Sequence, residues 1–255
     1  MMIDAIDINE DYENHISLWN TQPTNAVKIL QTVVNHYHLQ KSINNRVQYP
    51  TLLVCGERDS GRRCLAKAVH NSFGNLYWKE TEGLVSGYGQ DLATWLRETD
   101  EHTTVFIQNA ESLSAFCINV ILTVIREKRL LITHKFDRNV NYIPFESRLI
   151  ILSANTQNLN RLLPILDVVS IRVNLPYKRP KGELFKIVQQ RCSFLGWECS
   201  DTLLRNISQV SSSIGQCVEI LDFTQMVSMG EKMSSSHLNK ALQLLSANSP
   251  SQAQQ

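Results

Sequence analysis

The sequence predicts an α/β fold, a parallel sheet sandwiched by helices and followed by a small all-helical domain, and three observations predict it. Short apolar, β-branched runs at residues 51–55, 103–108 and 148–154 read as buried strands separated by helical periodicity. A turn joins the first of these strands to a helix, with Gly56 and Gly61 bracketing four polar residues. From Pro180 onward the periodicity is helical only.

Each element follows in order. Residues 24–41 place Val27, Leu30, Val33, Val34 and Tyr37 at helical spacing, so a helix leads into the first strand. Leu65, Ala66, Val69 and Phe73 continue that spacing behind Gly61. Residues 76–80 read as a short strand, 90–98 as a helix and 113–127 as an amphipathic helix after the strand at 103–108. Polar and aromatic residues around Asn139 and Asn141 make residues 128–147 a hairpin-like insertion, and residues 168–175 resemble one more strand. Pro180 starts a helix that stops near Gly196, Ser200 caps a second, and a third covers about residues 215–230. Asp4, Asp7, Glu10, Asp11 and Glu13 precede the first lysine or arginine, Lys28, so residues 1–23 read as an acidic arm. A large domain at 24–176, a helical domain at 177–246 and a disordered tail at 247–255 complete the division.

Composition sets the broad class. With 255 residues, 43% hydrophobic and 19% charged, the chain can bury a substantial core. No run approaches the roughly 18 apolar residues of a membrane helix, and no secretion signal opens the sequence, so a cytoplasmic protein is expected. Six cysteines lie scattered in apolar runs without a C-x-x-C pair, as reduced thiols would. His36 and His38 have no other ligand type beside them, so no metal cluster is expected. A net charge of +1 gives no whole-molecule case for nucleic-acid binding.

Residues 56–63, Gly-Glu-Arg-Asp-Ser-Gly-Arg-Arg, have the outline of a phosphate-binding loop, G-x-x-x-x-G-K-[ST]. In a working loop backbone amides cradle the phosphates, lysine reaches the terminal ones and the hydroxyl holds magnesium. Gly56 and Gly61 keep the spacing, but Arg62 stands at the lysine position and Arg63 at the hydroxyl position. Two guanidinium groups at a helix N-terminus would grip a phosphate without hydrolysing it. Glu57 and Asp59 oppose this by pairing with the arginines and repelling phosphate, so an empty or weakly occupied site is the preferred reading.

Four segments occur in order: residues 56–66, 106–114 (Phe-Ile-Gln-Asn-Ala-Glu-Ser-Leu-Ser), 151–156 (Ile-Leu-Ser-Ala-Asn-Thr) and 164–171 (Pro-Ile-Leu-Asp-Val-Val-Ser-Ile). They resemble the loop, metal strand, sensor strand and finger segments of AAA+ ATPases, and within them the RuvB family of Holliday-junction motors. Residues 179–196 and the helices after them resemble that family's small domain, so the resemblance spans about residues 25–245. It implies a P-loop NTPase sheet with a helical lid. It also implies an Asp-Glu pair at the end of the second motif strand, where this chain has Gln108 and Asn109, neutral amides that carry no charge for a metal and accept no proton at neutral pH. Glu111 follows two residues later. The finger arginine of the family aligns with Val168, beside Asp167, and the lid's sensor arginine with Gln216; Asn155 keeps the first sensor position.

Change at Arg62, Arg63, Gln108, Asn109 and Val168 contrasts with retention of Gly56, Gly61, Leu65, Ala66, Phe106, Ile107, Leu113 and Pro164. That is the pattern of a pseudo-ATPase: no catalytic residue, no metal, and no cofactor beyond weakly held ATP or ADP without magnesium. A scaffold or adaptor in a DNA-processing or ATPase assembly follows, with protein partners that include AAA+ subunits. The alternative is a divergent ATPase or branch-migration motor using Arg62, Asn155 and Glu111, and a third reading is a small DNA-associated accessory factor. RuvB-like motors carry a winged-helix domain that touches DNA; the sequence ends before one would fit, so direct DNA contact is unsupported. Basic residues do gather at Arg126, Lys128, Arg129, Lys135, Arg138 and Arg148, against Glu127, Asp137 and Glu146, and again at Lys178, Arg179 and Lys181. Solvated loops explain both clusters as well as phosphate contact does. In RuvB-like proteins this insertion serves partner recognition, so Tyr142, Ile143 and Phe145 form either a protein interface or an apolar contact with their own domain.

Overall fold

Strand β1 (Thr51–Cys55) is buried along its whole length, and the larger unit is built around it. In the computed structural model, which describes residues 24–44, 47–84, 89–133, 140–145 and 147–247, the chain divides into two units. One comprises residues 24–58 and 62–175, the other residues 59–61 and 176–247. The acidic segment at 1–23, the tail after Ala247, and Lys135, Asp137, Arg138, Asn139 and Glu146 of the insertion lie outside the described residues.

The first unit contains α1 (Thr24–Ile43), β1, α2 (Arg62–Phe73), β2 (Tyr77–Glu82), α3 (Gly89–Arg97), β3 (Thr103–Gln108), α4 (Ala115–Glu127), β4 (Arg129–Thr133), β5 (Val140–Pro144), β6 (Leu149–Ala154), the short α5 (Leu163–Leu166) and β7 (Ile171–Asn174). Five strands form a parallel sheet in the order β2-β3-β6-β1-β7. The apolar runs of β1, β3 and β6 are unbroken because parallel strands covered by helices face apolar neighbours on both sides. Leu53, Val105, Ile107, Leu152 and Ile121 join one core with Val120 and Val124 of α4. On the other side, α1 buries Leu30, Val34 and Tyr37, and Tyr37 stacks on Tyr49 at 4.7 Å and meets Phe73 of α2 at 4.9 Å.

Three boundaries differ from the sequence reading, each for a local reason. β2 begins and ends later than 76–80, pairing Tyr77 with Thr103 through Glu82 with Gln108, so β3 extends a strand whose acidic end has little strand propensity of its own. α4 starts at Ala115 because Ser114 caps it by accepting from the Cys117 amide at 3.2 Å, and residues 110–112 form a separate 3₁₀ turn. Val168 and Val169 pack half-buried on the core in the turn after α5 instead of opening β7. β4 and β5 pair as an antiparallel ribbon, Leu131 opposite Tyr142, at the place of the expected insertion.

The second unit packs α6 (Lys181–Leu195), α7 (Asp201–Val210), α8 (Ile214–Ser228) and α9 (Ser235–Ala247) around Leu184, Val188, Leu204, Ile207, Leu221 and Leu238. Ser200 and Ser213 cap α7 and α8, and Gly196 ends α6 at φ 66°. Arg191 joins α6 to α8 through two bonds to Asp222, both 2.9 Å. α9 is a fourth helix, beyond the three read from capping and glycine signals. Among the described residues no helix is long and apolar enough to cross a membrane.

One buried titratable group in the first unit gives the fold a pH dependence. His70 Nδ1 lies 2.8 Å from Thr104 Oγ1, which also accepts from Asn75 Nδ2 at 2.9 Å, leaving the threonine hydroxyl hydrogen for the imidazole. Burial, assisted by nearby Lys67, lowers its pKa from 6.5 to about 4. The unfolded chain therefore binds the extra proton first as pH falls. Stability is expected to be intact above pH 6.5 and to fall by roughly 3 kcal/mol as pH drops toward 4. Urea midpoints measured across that range should decline, and the decline should flatten in His70→Gln.

Candidate functional site

The end of β1 is fixed to the sheet before the loop begins: the Gly56 amide donates to the Ala154 carbonyl of β6 at 3.0 Å. Gly61 turns the chain at φ 90° into α2, whose first two residues are Arg62 and Arg63. That helix has no acidic residue in its first turn, so both guanidinium groups sit at the positive end of the helix dipole. Anions are required there.

β2 supplies them. Side chains two apart on a strand share a face, and Trp78, Glu80 and Glu82 alternate onto one side of β2. Arg63 Nε donates to both oxygens of Glu80 at 3.0 Å. The Trp78 indole Nε1 donates to Glu80 Oε2 at 2.9 Å, and Gln108 Nε2 at the end of β3 donates to Glu80 Oε1. A parallel chain of bonds holds the neighbouring residues: Arg62 Nη2 donates to Asn109 Oδ1 at 3.1 Å, and Asn109 Nδ2 to Glu82 Oε1 at 3.0 Å. Asn109 takes a left-handed conformation, φ 47°, one that asparagine tolerates. The Gly83 amide donates to the Gln108 carbonyl at 2.7 Å, and a Cβ on Gly83 would lie 2.4 Å from the Asn109 carbonyl oxygen, so this close approach needs glycine.

The structure thus brings four of the expected residues, Arg62, Arg63, Gln108 and Asn109, into two adjoining sets of bonds, together with two acids that no motif marks. Their only trace in the sequence is the alternation of Trp78, Glu80 and Glu82. Asn155 is elsewhere engaged, its Oδ1 accepting from the Gln157 amide at 3.0 Å as a local cap. Glu111 is buried at 7% exposure, and its Oε2 has no hydrogen-bond partner. Burial pushes the neighbouring Cys55 thiol up, Arg172 and Arg62 pull it down, and Glu111 adds to the rise. Gln216 belongs to the second unit and folds back on Ser212, accepting from its amide at 2.8 Å and its hydroxyl at 2.9 Å. Among the described residues no group of three metal-ligating side chains occurs.

The basic clusters and the insertion are corrected in part. Arg179, with its side chain fully covered, donates to the Ser60 carbonyl at 2.9 Å and pairs with Glu183 at 3.3 Å. Lys181 Nζ donates to the carbonyls of Gln209, at 2.8 Å, and Ser211, satisfying the end of α7. Arg148 bonds the carbonyls of Thr99 and Asp100 at 2.6 and 2.9 Å and lies 3.9 Å over the Phe145 ring. These cations are therefore structural. Phe145 is 3% exposed within the core and Ile143 packs half-buried against it, so neither forms an exposed contact surface; Tyr142, on the opposite face of the ribbon, is 53% exposed. The physical reason is the period of two, which sends Ile143 and Leu130 inward and Tyr142 and Leu131 to the other side.

No protein-family model matches the sequence, and no curated protein matches it. Solved structures do. The RuvB Holliday junction branch migration motor of Thermotoga maritima superposes with a TM-score of 0.68 over 87% of this chain and 68% of that one, at 16% identity. A mutant of the same motor gives 0.69 over 87% and 70%, also at 16%. The Aeropyrum pernix ORC2 protein, solved with ADPNP and ADP, gives 0.63 over 87% and 68%, at 13%. At such identities the likeness concerns the fold: the chain has the P-loop AAA+ fold that these proteins share.

Truncation separates the two aromatic residues of the ribbon. Phe145→Ala should cost roughly 3–5 kcal/mol, because it empties a core position. Tyr142→Ala should change stability by less than about 1 kcal/mol. Chemical denaturation of the two variants checks both, and equal losses would contradict the assignment of faces.

Proposed function

We propose that the chain is a non-catalytic AAA+-fold module, a scaffold or accessory subunit of a DNA-processing or ATPase assembly. One observation carries the reading: Arg63 and Gln108, at the hydroxyl and aspartate positions, are bonded to Glu80, and Asn109, at the glutamate position, joins Arg62 to Glu82. A working site keeps those groups for phosphate, metal and water. Here each is bonded to protein, Arg63 to a carboxylate and Arg62 to a neutral amide, and Gln108 and Asn109 have no charge to give a metal and no basicity for a proton. ATP or ADP is not required to neutralise Arg63, whose partner is Glu80. The DNA-processing context rests on the likeness to a branch migration motor and is correspondingly general.

The rival, a divergent ATPase using Arg62, Asn155 and Glu111, finds each of these groups poorly disposed. Arg62 is bonded to Asn109, Asn155 caps a turn, and Glu111 is buried. Removing charge-stabilising groups from phosphoryl transfer costs about two or more orders of magnitude each. For partners, the outer face of the β4–β5 ribbon, with exposed Tyr142 beside Leu131, is the surface proposed to meet another protein.

Calorimetric titration with ATP, with and without magnesium, should give no micromolar binding, and a phosphate-release assay with DNA present should stay at the blank. Turnover that disappears in Arg62→Ala would overturn the proposal in favour of the enzyme.

A further inference from the structure

Glu80 is surrounded in a way that an ordinary surface ion pair is not. Three N–H donors from three elements converge on its carboxylate: the Arg63 guanidinium at the start of α2, the Trp78 indole on β2, and the Gln108 amide at the end of β3. Arg63 is 36% and Glu80 20% exposed at the side chain, so the group is half-covered. Lys67 lies 4.4 Å over the Trp78 ring and adds a second positive charge behind the indole. A guanidinium, two neutral N–H groups and the positive end of a helix are what an oxyanion needs.

We propose that this is an oxyanion-binding pocket occupied by the chain's own Glu80, and that its ligand class is the carboxylate or phosphate oxyanion. The proposal deepens the non-catalytic reading and rests on it, because a pocket filled from within has no vacancy for a nucleotide phosphate. Tethering supplies the selectivity. Glu80 is covalently held on β2, so its effective concentration exceeds the millimolar level of a free anion, which therefore cannot displace it. Arg63 brings to the hydroxyl position a fixed positive charge where a loop of the working kind would recruit a metal ion.

The test is rescue by added anions in the full chain. Thermal midpoints of the wild type, Glu80→Ala and Glu80→Ala/Arg63→Ala are followed against acetate and inorganic phosphate, with chloride matching the ionic strength. Glu80→Ala is expected to melt lower than the wild type and to regain roughly 2–4 °C, saturably, with acetate or phosphate but not chloride. The wild type and the double variant should show no anion-specific gain. Absence of that gain in Glu80→Ala, or an equal gain in the wild type, overturns the pocket. If Glu80→Ala does not fold in chloride, refolding yield becomes the readout: recovery in phosphate or acetate supports the proposal, and failure in all three salts overturns it. Phosphate release by the same wild-type preparation, measured in parallel, would remove the non-catalytic reading while leaving the rescue result to stand or fall separately.

Discussion

Two arginines opening a helix create a charge problem that the rest of the site is arranged to solve. The dipole of α2 already places positive potential at its first turn, and nothing acidic lies within that turn. The remedy comes from across the sheet, where parallel pairing of β2 on β3 sets Glu80 and Glu82 level with Phe106 and Gln108. The position of the site thus depends on strand register. A slip of one residue would turn Trp78, Glu80 and Glu82 to the other face and leave Arg63 without its carboxylate and Asn109 without Glu82.

The same economy of charge governs the second unit. Arg179 and Lys181 read in sequence as part of a basic cluster, yet both, like Arg191, are spent on a carbonyl or a carboxylate of the unit itself. Helix ends leave carbonyls unsatisfied, and a lysine or arginine nearby is an efficient way to satisfy them. Counting cations along a chain overstates the charge that faces a partner, since a guanidinium paired with a carboxylate has much of its field offset.

Legibility in the sequence followed the size of the physical signal. β1, β3 and β6 were readable because burial on both faces forces unbroken apolar runs, and helices of the second unit because their ends carry chemical signatures, Ser200 and Gly196, whereas the Ser114 cap went unread. The end of β2 was not readable. Its residues Lys79, Glu80, Thr81 and Glu82 are held in a strand by β3 and by the ion pair, both distant in sequence. For the same reason Arg62, Arg63, Gln108 and Asn109 could be listed from the loop and strand motifs, whereas the two acids that complete the network could not. Phe145 was ambiguous until the ribbon's register separated its inward from its outward residues, and α9 announces itself by no glycine or proline.

The network around Arg62 and Arg63 also bears on reversibility. Restoring threonine at position 63 would leave Glu80 without its guanidinium, and restoring aspartate at 108 or glutamate at 109 would set a new carboxylate beside Glu80 or Glu82. These three reversions therefore run uphill when made singly, and simultaneous exchanges, Glu80 and Glu82 among them, would be needed to reach a conventional pocket. The substitutions act as a ratchet against a return to the conventional arrangement.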